Sequence, residues 1–213
     1  MAYPRNARSL AAVLLLMGAG ACSGAPATSA ELGEELFETC APCHGSNGSG
    51  NIDIGAPTIA GLPSWYVVTQ LEKFQNGVRG KHPDDLAGLR MRPMAVSLQF
   101  GAPGQNEAVA EHIAGMTRVD PGRAVLANAG AGAGRYQVCA VCHGADAQGN
   151  ADLHAPPLAV TNDWYLLEQL RKFKSGIRGA DPLDTWGATM RPNTLALDET
   201  AMQDVVAYIQ TLR

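Results

Sequence analysis

The chain repeats itself at a single offset of 99 residues, and this repeat constrains the fold more than any other feature. Residues 40–98 align with residues 139–197 without a gap and share 27 identities in 59 positions. An internal match of this density means that the two copies adopt one fold. We therefore predict two tandem units, over residues 31–118 and 122–213, joined by a linker at 119–121 next to a Pro-Gly turn sequence.

Both units are predicted to be all-α. Apolar residues recur at helical spacing over 64–76, with Ser64 as the expected N-cap, and further helices are predicted over the following ranges: 31–39, 106–115, 163–174 and 198–212. No segment alternates as a strand does. A unit of about 90 residues is small for a self-sufficient core, and only 6% of the residues are aromatic. We therefore expect a large bound group to complete each interior.

Each unit contains the motif Cys-x-x-Cys-His. Two thiols three positions apart can bond to both vinyl groups of one haem, and the adjacent histidine then lies under the iron as proximal ligand. A shared zinc site, a thioredoxin-type redox pair and two short disulfides are the alternatives, and none of them requires a histidine directly after both motifs. The motifs predict two covalently bound haem c groups, with these thioether positions and proximal ligands: Cys40, Cys43 and His44; Cys139, Cys142 and His143.

Methionine is the sixth iron ligand that suits electron transfer, and the repeat itself selects the candidates. Met91 and Met190 lie at the same offset, 47 residues after the two histidines, and each precedes Arg-Pro in a predicted loop. Met94 has no methionine counterpart and is predicted to pack beside the haem, although it stays the alternative ligand in the first unit. Met116 and Met202 are predicted to lie in the core.

Other repeated residues are candidates for contacts around the haem. Pro57 and Pro156 follow the ligand histidines by 13 residues, so either carbonyl could accept the second imidazole N–H; a simple turn is the alternative. Candidates for binding the propionates are Trp65, Tyr66, Arg79, Trp164, Tyr165 and Arg178, with apolar packing or a solvated surface charge as alternatives. Three histidines are not repeated and are predicted to face solvent, namely His82, His112 and His154. Of these, His154 is the best substitute iron ligand.

The N-terminus resembles a secretory signal over residues 1–21, with a basic start, a short apolar run and small residues. Cleavage before Cys22 would allow lipidation of that thiol, followed by a flexible tether over 22–30, whereas a cut after Ala30 would remove it. We expect a periplasmic protein, with a membrane tether through Cys22 as the open question. The net charge of −4 argues against a nucleic-acid partner.

The paired haem motifs, the helix of the form Trp-Tyr-x-x-x-Gln-Leu-x-x-Phe, the Gly-x-Arg and the later methionine resemble class I cytochromes c. Their tandem arrangement is similar to the cytochrome c4 family of dihaem electron carriers. The resemblance implies two lobes whose haem propionates face each other, with the ligand assignments given above. It also implies redox partner proteins, such as a bc-type complex or quinol-linked donor and a terminal oxidase.

The favoured hypothesis is an electron carrier that is not itself an enzyme. Two alternatives stay open, namely the cytochrome subunit of an exported dehydrogenase and a dihaem peroxidase-like enzyme. A catalytic haem needs an open distal position with acid–base groups nearby, and the sequence offers only isolated histidines there. A haem-based sensor would need an output domain, for which no residues remain outside the two units.

Overall fold

Two helical domains, each with its own hydrophobic core, make up the computed structural model, which describes residues 1, 28–120 and 122–213. The predicted signal at 1–21, apart from its first residue, lies outside the described residues, as do Cys22 and most of the predicted tether. The helices are α1 (Ser29–His44), α2 (Ser64–Gln75), α3 (Leu86–Ser97), α4 (Gln105–Gly115), α5 (Ala129–His143), α6 (Asp163–Ser175), α7 (Thr185–Met190), α8 (Pro192–Leu195) and α9 (Glu199–Ile209). Short 3-10 helices add Ile52–Ile54 and Leu98–Phe100.

The all-α prediction is confirmed. In the described ranges the β contacts are two isolated bridges, Asn51 with Ala56 and Asn150 with Ala155, which lie at the repeat offset. No helix among these residues is long and apolar enough to cross a bilayer. The limits of the two units stay a prediction; α1 begins at Ser29, two residues before the predicted start of the first unit.

The first and last helices of each domain cross at a glycine. A Cβ on Gly33 of α1 would lie 2.3 Å from the Ala108 carbonyl oxygen of α4, and a Cβ on Gly132 of α5 would lie 2.0 Å from the Asp204 carbonyl oxygen of α9. Only hydrogen leaves room for such close helices. This crossing holds the Cys-x-x-Cys-His turn, at the end of α1 or α5, against the core.

Three local predictions need correction. The helix predicted at 31–39 continues through the haem motif to His44, so that both thiols lie in its last turns. The N-cap of α2 is Pro63, and no side-chain hydrogen bond caps that helix, so Ser64 is its first residue instead of its cap.

The third correction concerns the methionines, which were predicted to lie in loops. Met91 lies within α3 and Met190 is the last residue of α7. These helices form because an aspartate caps each of them: the Asp85 side chain accepts from Gly88 N–H and the Asp184 side chain from Gly187 N–H. Apolar periodicity is weak in α3 and α7 has only six residues, which is why the sequence pattern did not predict them.

Candidate haem-binding sites

The second Cys-x-x-Cys-His motif faces a cavity of about 310 Å³ at the boundary between the domains. Cys139, Cys142, His143 and Met190 all line it. The structure thus brings the predicted thiols and both predicted iron ligands of the second domain to one mostly apolar cavity, within the size range of cofactor sites. Tyr66 and other first-domain residues complete the wall, so the cavity reaches across the domain boundary.

Both motif histidines are buried and oriented by a proline carbonyl. His44 Nδ1 lies 2.8 Å from Pro57 O, and His143 Nδ1 lies 2.8 Å from Pro156 O, which are the contacts expected from the 13-residue spacing. Burial lowers the pKa of both imidazoles, and the carbonyl contact opposes this shift without cancelling it. A neutral imidazole whose Nδ1–H donates to a carbonyl presents its Nε2 lone pair to a metal.

The motif cysteines are free thiols, with no disulfide among the described residues. Burial, followed by the neighbouring Cys43, raises the pKa of Cys40 to about 11, and burial also raises the pKa of Cys139. A redox-active thiol requires a lowered pKa, so the thioredoxin-type alternative is not supported. No group of three or more potential metal-ligating His, Cys, Asp or Glu side chains occurs in the described parts of the chain, which leaves the shared zinc site without support.

In the first domain, Met91 and Met94 have different surroundings. Met91 is partly buried against the first core, which Cys40 also contacts, whereas Met94 is 39% exposed. Met116 packs against the same core, and Met202 is buried in the second one, as predicted for both.

Arg79 and Arg178 form the centre of a polar interface between the domains. They are only 6% and 7% exposed, so the alternative to propionate binding, a solvated surface charge, is excluded for both. Each guanidinium lies 4.4 Å from the ring centroid of a phenylalanine and donates to a glutamine of its own domain: Arg79 to Gln70 at 2.7 Å, Arg178 to Gln169 at 2.8 Å. The Nε atoms of both arginines are buried without a hydrogen-bond partner among the described residues. Buried cations with an unused donor suit the carboxylates of a haem propionate.

The interface has approximate twofold character, because its contacts recur at the repeat offset. Arg79 lies 3.5 Å from Gln169 Oε1, and Arg178 lies 3.5 Å from Gln70 Oε1. Two crossed ion pairs accompany them, Lys73 with Asp184 and Lys172 with Asp85. Sequence reasoning missed these ion pairs, although all four residues are identities of the 99-residue repeat and so carried a detectable signal.

The unrepeated histidines lie in three different environments. His154 lines the cavity that the second motif faces. Its ring stacks on that of Trp186 at 4.4 Å between centroids and meets the Trp65 ring edge-on at 5.8 Å. The backbone φ of His154 is +48°, and the equivalent residue of the first unit is a glycine, Gly55. His82 and His154 are exposed, as predicted, whereas His112 is half-buried with its ring 5.1 Å from that of Phe37.

The fold and the two sites define a protein of two haem-binding helical domains. The sequence model described as Cytochrome c matches residues 30–117 and 129–213. The chain belongs to the cytochrome c family, and its paired domains make it a dihaem cytochrome c with two covalently bound haem c groups that acts as an electron carrier.

Individual relatives cover most of this chain. The thiosulfate dehydrogenase electron acceptor of Stutzerimonas stutzeri (strain A1501) is 30% identical over 210 residues, which is 93% of this chain and 90% of that protein. Reduced recombinant cytochrome c4 from Pseudomonas stutzeri superimposes with a TM-score of 0.67 at 25% identity, covering 86% of this chain and 98% of that one. Thiosulfate dehydrogenase (TsdBA) from Marichromatium purpuratum gives a TM-score of 0.68 at 29% identity and covers 85% of this chain but 40% of that one.

Proposed function

We propose that this cytochrome accepts electrons from an exported dehydrogenase of the thiosulfate-oxidising kind and passes them to a further redox protein. The observation that carries the carrier role is the meeting of two thiols, an oriented histidine and a methionine at the cavity of the second domain. Saturated His/Met coordination favours electron transfer over substrate chemistry. Similarity to a thiosulfate dehydrogenase electron acceptor over 93% of the chain supports that class of donor.

The proposed ligand set follows the two motifs. Cys40 and Cys43 form thioethers to one haem, whose iron is held by His44 and Met91. In the second domain the corresponding residues are Cys139, Cys142, His143 and Met190. Met91 is partly buried beside the first core whereas Met94 is exposed, and this contrast supports Met91 as the ligand. The bound haems supply one-electron chemistry between ferric and ferrous iron.

The chain's other residues control how the haems are held. Pro57 and Pro156 accept the Nδ1–H of the ligand histidines, which sets the ring orientation and strengthens the imidazole as a donor. We assign Arg79 and Arg178 to the propionates, because each has an unused buried Nε donor at the domain boundary. Both arginines lie at the domain boundary, so propionates that they bound would lie there too.

Export to the periplasm belongs to the same proposal. It is supported by the basic, then apolar, then small-residue order of residues 1–21. Lipidation of Cys22 would tether the carrier to the membrane, and mass spectrometry of the mature N-terminus separates this from simple cleavage. A terminal oxidase is the acceptor that we expect downstream.

The first experiment is an optical spectrum of protein matured in a host that attaches haem c, together with a haem count per chain. We expect two haems, both low-spin, with the weak far-red band of ferric iron bound to methionine. A high-spin haem that reacts with peroxide at rest would overturn the carrier assignment and favour the peroxidase-like alternative. One haem per chain would overturn the two-site ligand set.

The donor is tested separately, by mixing oxidised cytochrome with thiosulfate and the thiosulfate dehydrogenase of Stutzerimonas stutzeri under stopped flow. We expect both haems to be reduced only when the enzyme and thiosulfate are both present. In a parallel measurement, a quinol-linked donor replaces the dehydrogenase and haem reduction is followed in the same way. Reduction by that donor alone would overturn the proposed donor while leaving the carrier role intact.

A further inference from the structure

Two buried ion pairs cross the domain boundary in opposite directions. Lys172 Nζ of α6 lies 2.6 Å from Asp85 Oδ1 of the first domain, and Lys73 Nζ of α2 lies 2.6 Å from Asp184 Oδ1 of the second. The aspartate side chains are 2% and 1% exposed, and the lysine side chains 7% and 15%. The two lysines are separated by the 99-residue offset, and so are the two aspartates, so the ion pairs occupy equivalent positions of the repeat. Each domain thus supplies a cation to the other.

Each aspartate also caps a helix that carries a proposed iron ligand. Asp85 lies six residues before Met91. Its Oδ1, the oxygen that faces Lys172, accepts from Gly88 N–H in the first turn of α3 at 3.0 Å. In the second domain Asp184, six residues before Met190, accepts at Oδ1 from Lys73 Nζ at 2.6 Å and from Gly187 N–H at 3.0 Å. One carboxylate oxygen thus joins the far domain's ammonium to the near domain's methionine helix.

The cap depends on the lysine because both carboxylates are almost fully buried. A buried carboxylate that loses its cation either leaves the interior or takes up a proton. Either change weakens the hydrogen bond that starts the helix. Helix α7 has only six residues, so its cap bears on its last residue, Met190, directly.

We propose that Lys172 positions Met91 and Lys73 positions Met190, each acting across the domain boundary through the capping aspartate. The inference rests on the ligand set proposed above. Each domain thereby sets how firmly the other domain's iron holds its methionine. Loss of an ion pair that merely joined the two domains would affect both haem sites alike. Loss of a lysine that positions a methionine would affect only the site in the other domain, and this difference distinguishes the two roles.

The test uses the full dihaem protein and the variants K172Q and K73Q. In reduced low-spin protein each axial methionine methyl group gives its own strongly shifted proton NMR signal, assigned through M91L and M190L. Added imidazole competes with methionine for ferric iron, so its affinity reports how firmly each methionine is held. We expect K172Q to shift the Met91 signal and raise imidazole affinity at the first haem about tenfold, and K73Q to do the same at the second.

Matched controls separate positioning from general damage. K172R keeps the charge and should restore the Met91 signal, while R171Q removes the neighbouring exposed pair with Glu199 and should change neither haem. In a D85N background, where the cap oxygen remains but the charge is absent, K172Q should have no further effect on Met91. If K172Q folds poorly, D85N alone should move the Met91 signal and spare that of Met190.

Two outcomes overturn the inference: equal effects of K172Q on both methionines, or an effect confined to Met190 of its own domain. Absence of either methionine signal in the unaltered protein would instead contradict the ligand set. The spectrum of the unaltered protein therefore tests the ligand set before any variant is made, and the variants then test the inference.

Discussion

Lys172 and Asp85 are 87 positions apart in the chain, yet their side chains meet at 2.6 Å between the two domains. The same contact recurs between Lys73 and Asp184. The domains are therefore joined by charged groups that are buried on both sides, in addition to the paired arginines and glutamines. Buried pairs of this kind contribute little when compared with apolar residues, but removing one partner costs about 3–5 kcal/mol.

Acid should weaken the contact between the domains through Asp85 and Asp184. Burial raises the pKa of both carboxyls, but the lysine, the capping glycine N–H and the nearby arginine outweigh it and hold both pKa values below the ordinary 3.8. A lowered folded-state pKa adds stability that is fully present above the unfolded value and is lost as pH falls through the folded value. Below about pH 4 the free energy of unfolding should fall by up to about 1.4 kcal/mol per pH unit for each carboxyl.

Urea unfolding between pH 2 and 6, followed by circular dichroism, measures this slope. The variant D85N/D184N should show a flatter profile below pH 4 than the unaltered protein. D53N/D152N removes two exposed carboxyls at equivalent repeat positions and controls for net charge. Parallel profiles for all three proteins would contradict the assignment of the acid sensitivity to the interface.

Replacing the two neighbouring methionines of α3 should have different effects. Met91 contacts the first core, whereas Met94 is 39% exposed. M91L should remove about half of the far-red methionine–iron band, because one of two haems loses its sulfur ligand. M94L should leave the band unchanged. The reverse pattern in ferric absorption spectra would make Met94 the first-domain ligand.

Replacing either of two glycines of α5 by alanine should change the free energy of unfolding in opposite directions. A Cβ at Gly132 would lie 2.0 Å from the Asp204 carbonyl oxygen, while a Cβ at Gly134 meets nothing within 4 Å. G132A should lower the free energy of unfolding by about 1–3 kcal/mol through overpacking. G134A should raise it by about 0.5–1 kcal/mol, since alanine favours a helix over glycine. Thermal unfolding of the dihaem protein measures both, and equal changes would argue against the close helix crossing.

Removing the positive charge of Arg79 should lower the reduction potential of one haem. A buried cation near the propionates disfavours the more positive ferric state, so its loss favours oxidation. For R79Q we expect a decrease of about 30–60 mV, where 59 mV is a tenfold change for one electron. Spectroelectrochemical titration measures it, with R135Q as an exposed control on α5. An unchanged potential would remove Arg79 from the propionate site.

The sequence by itself determined the repeat and much of the chemistry. The offset of 99 residues paired every equivalent position, and the Cys-x-x-Cys-His motif predicted covalent haem because its spacing is local and specific. The same local logic predicted that Pro57 lies at the Nδ1 atom of His44, since a short loop brings the two together. It also predicted five of the helices, of which those at 64–76 and 198–212 rest on apolar residues at helical spacing.

The tertiary structure decided the contacts that join distant parts of the chain. Helix α3 could not be predicted because its stability comes from the Asp85 cap and from packing, and its own apolar periodicity is weak. The burial of Arg79 and the crossed lysine–aspartate pairs depend on how one domain is placed against the other. A repeat shows that two positions are equivalent, but only the folded chain brings Lys172 of one copy to Asp85 of the other.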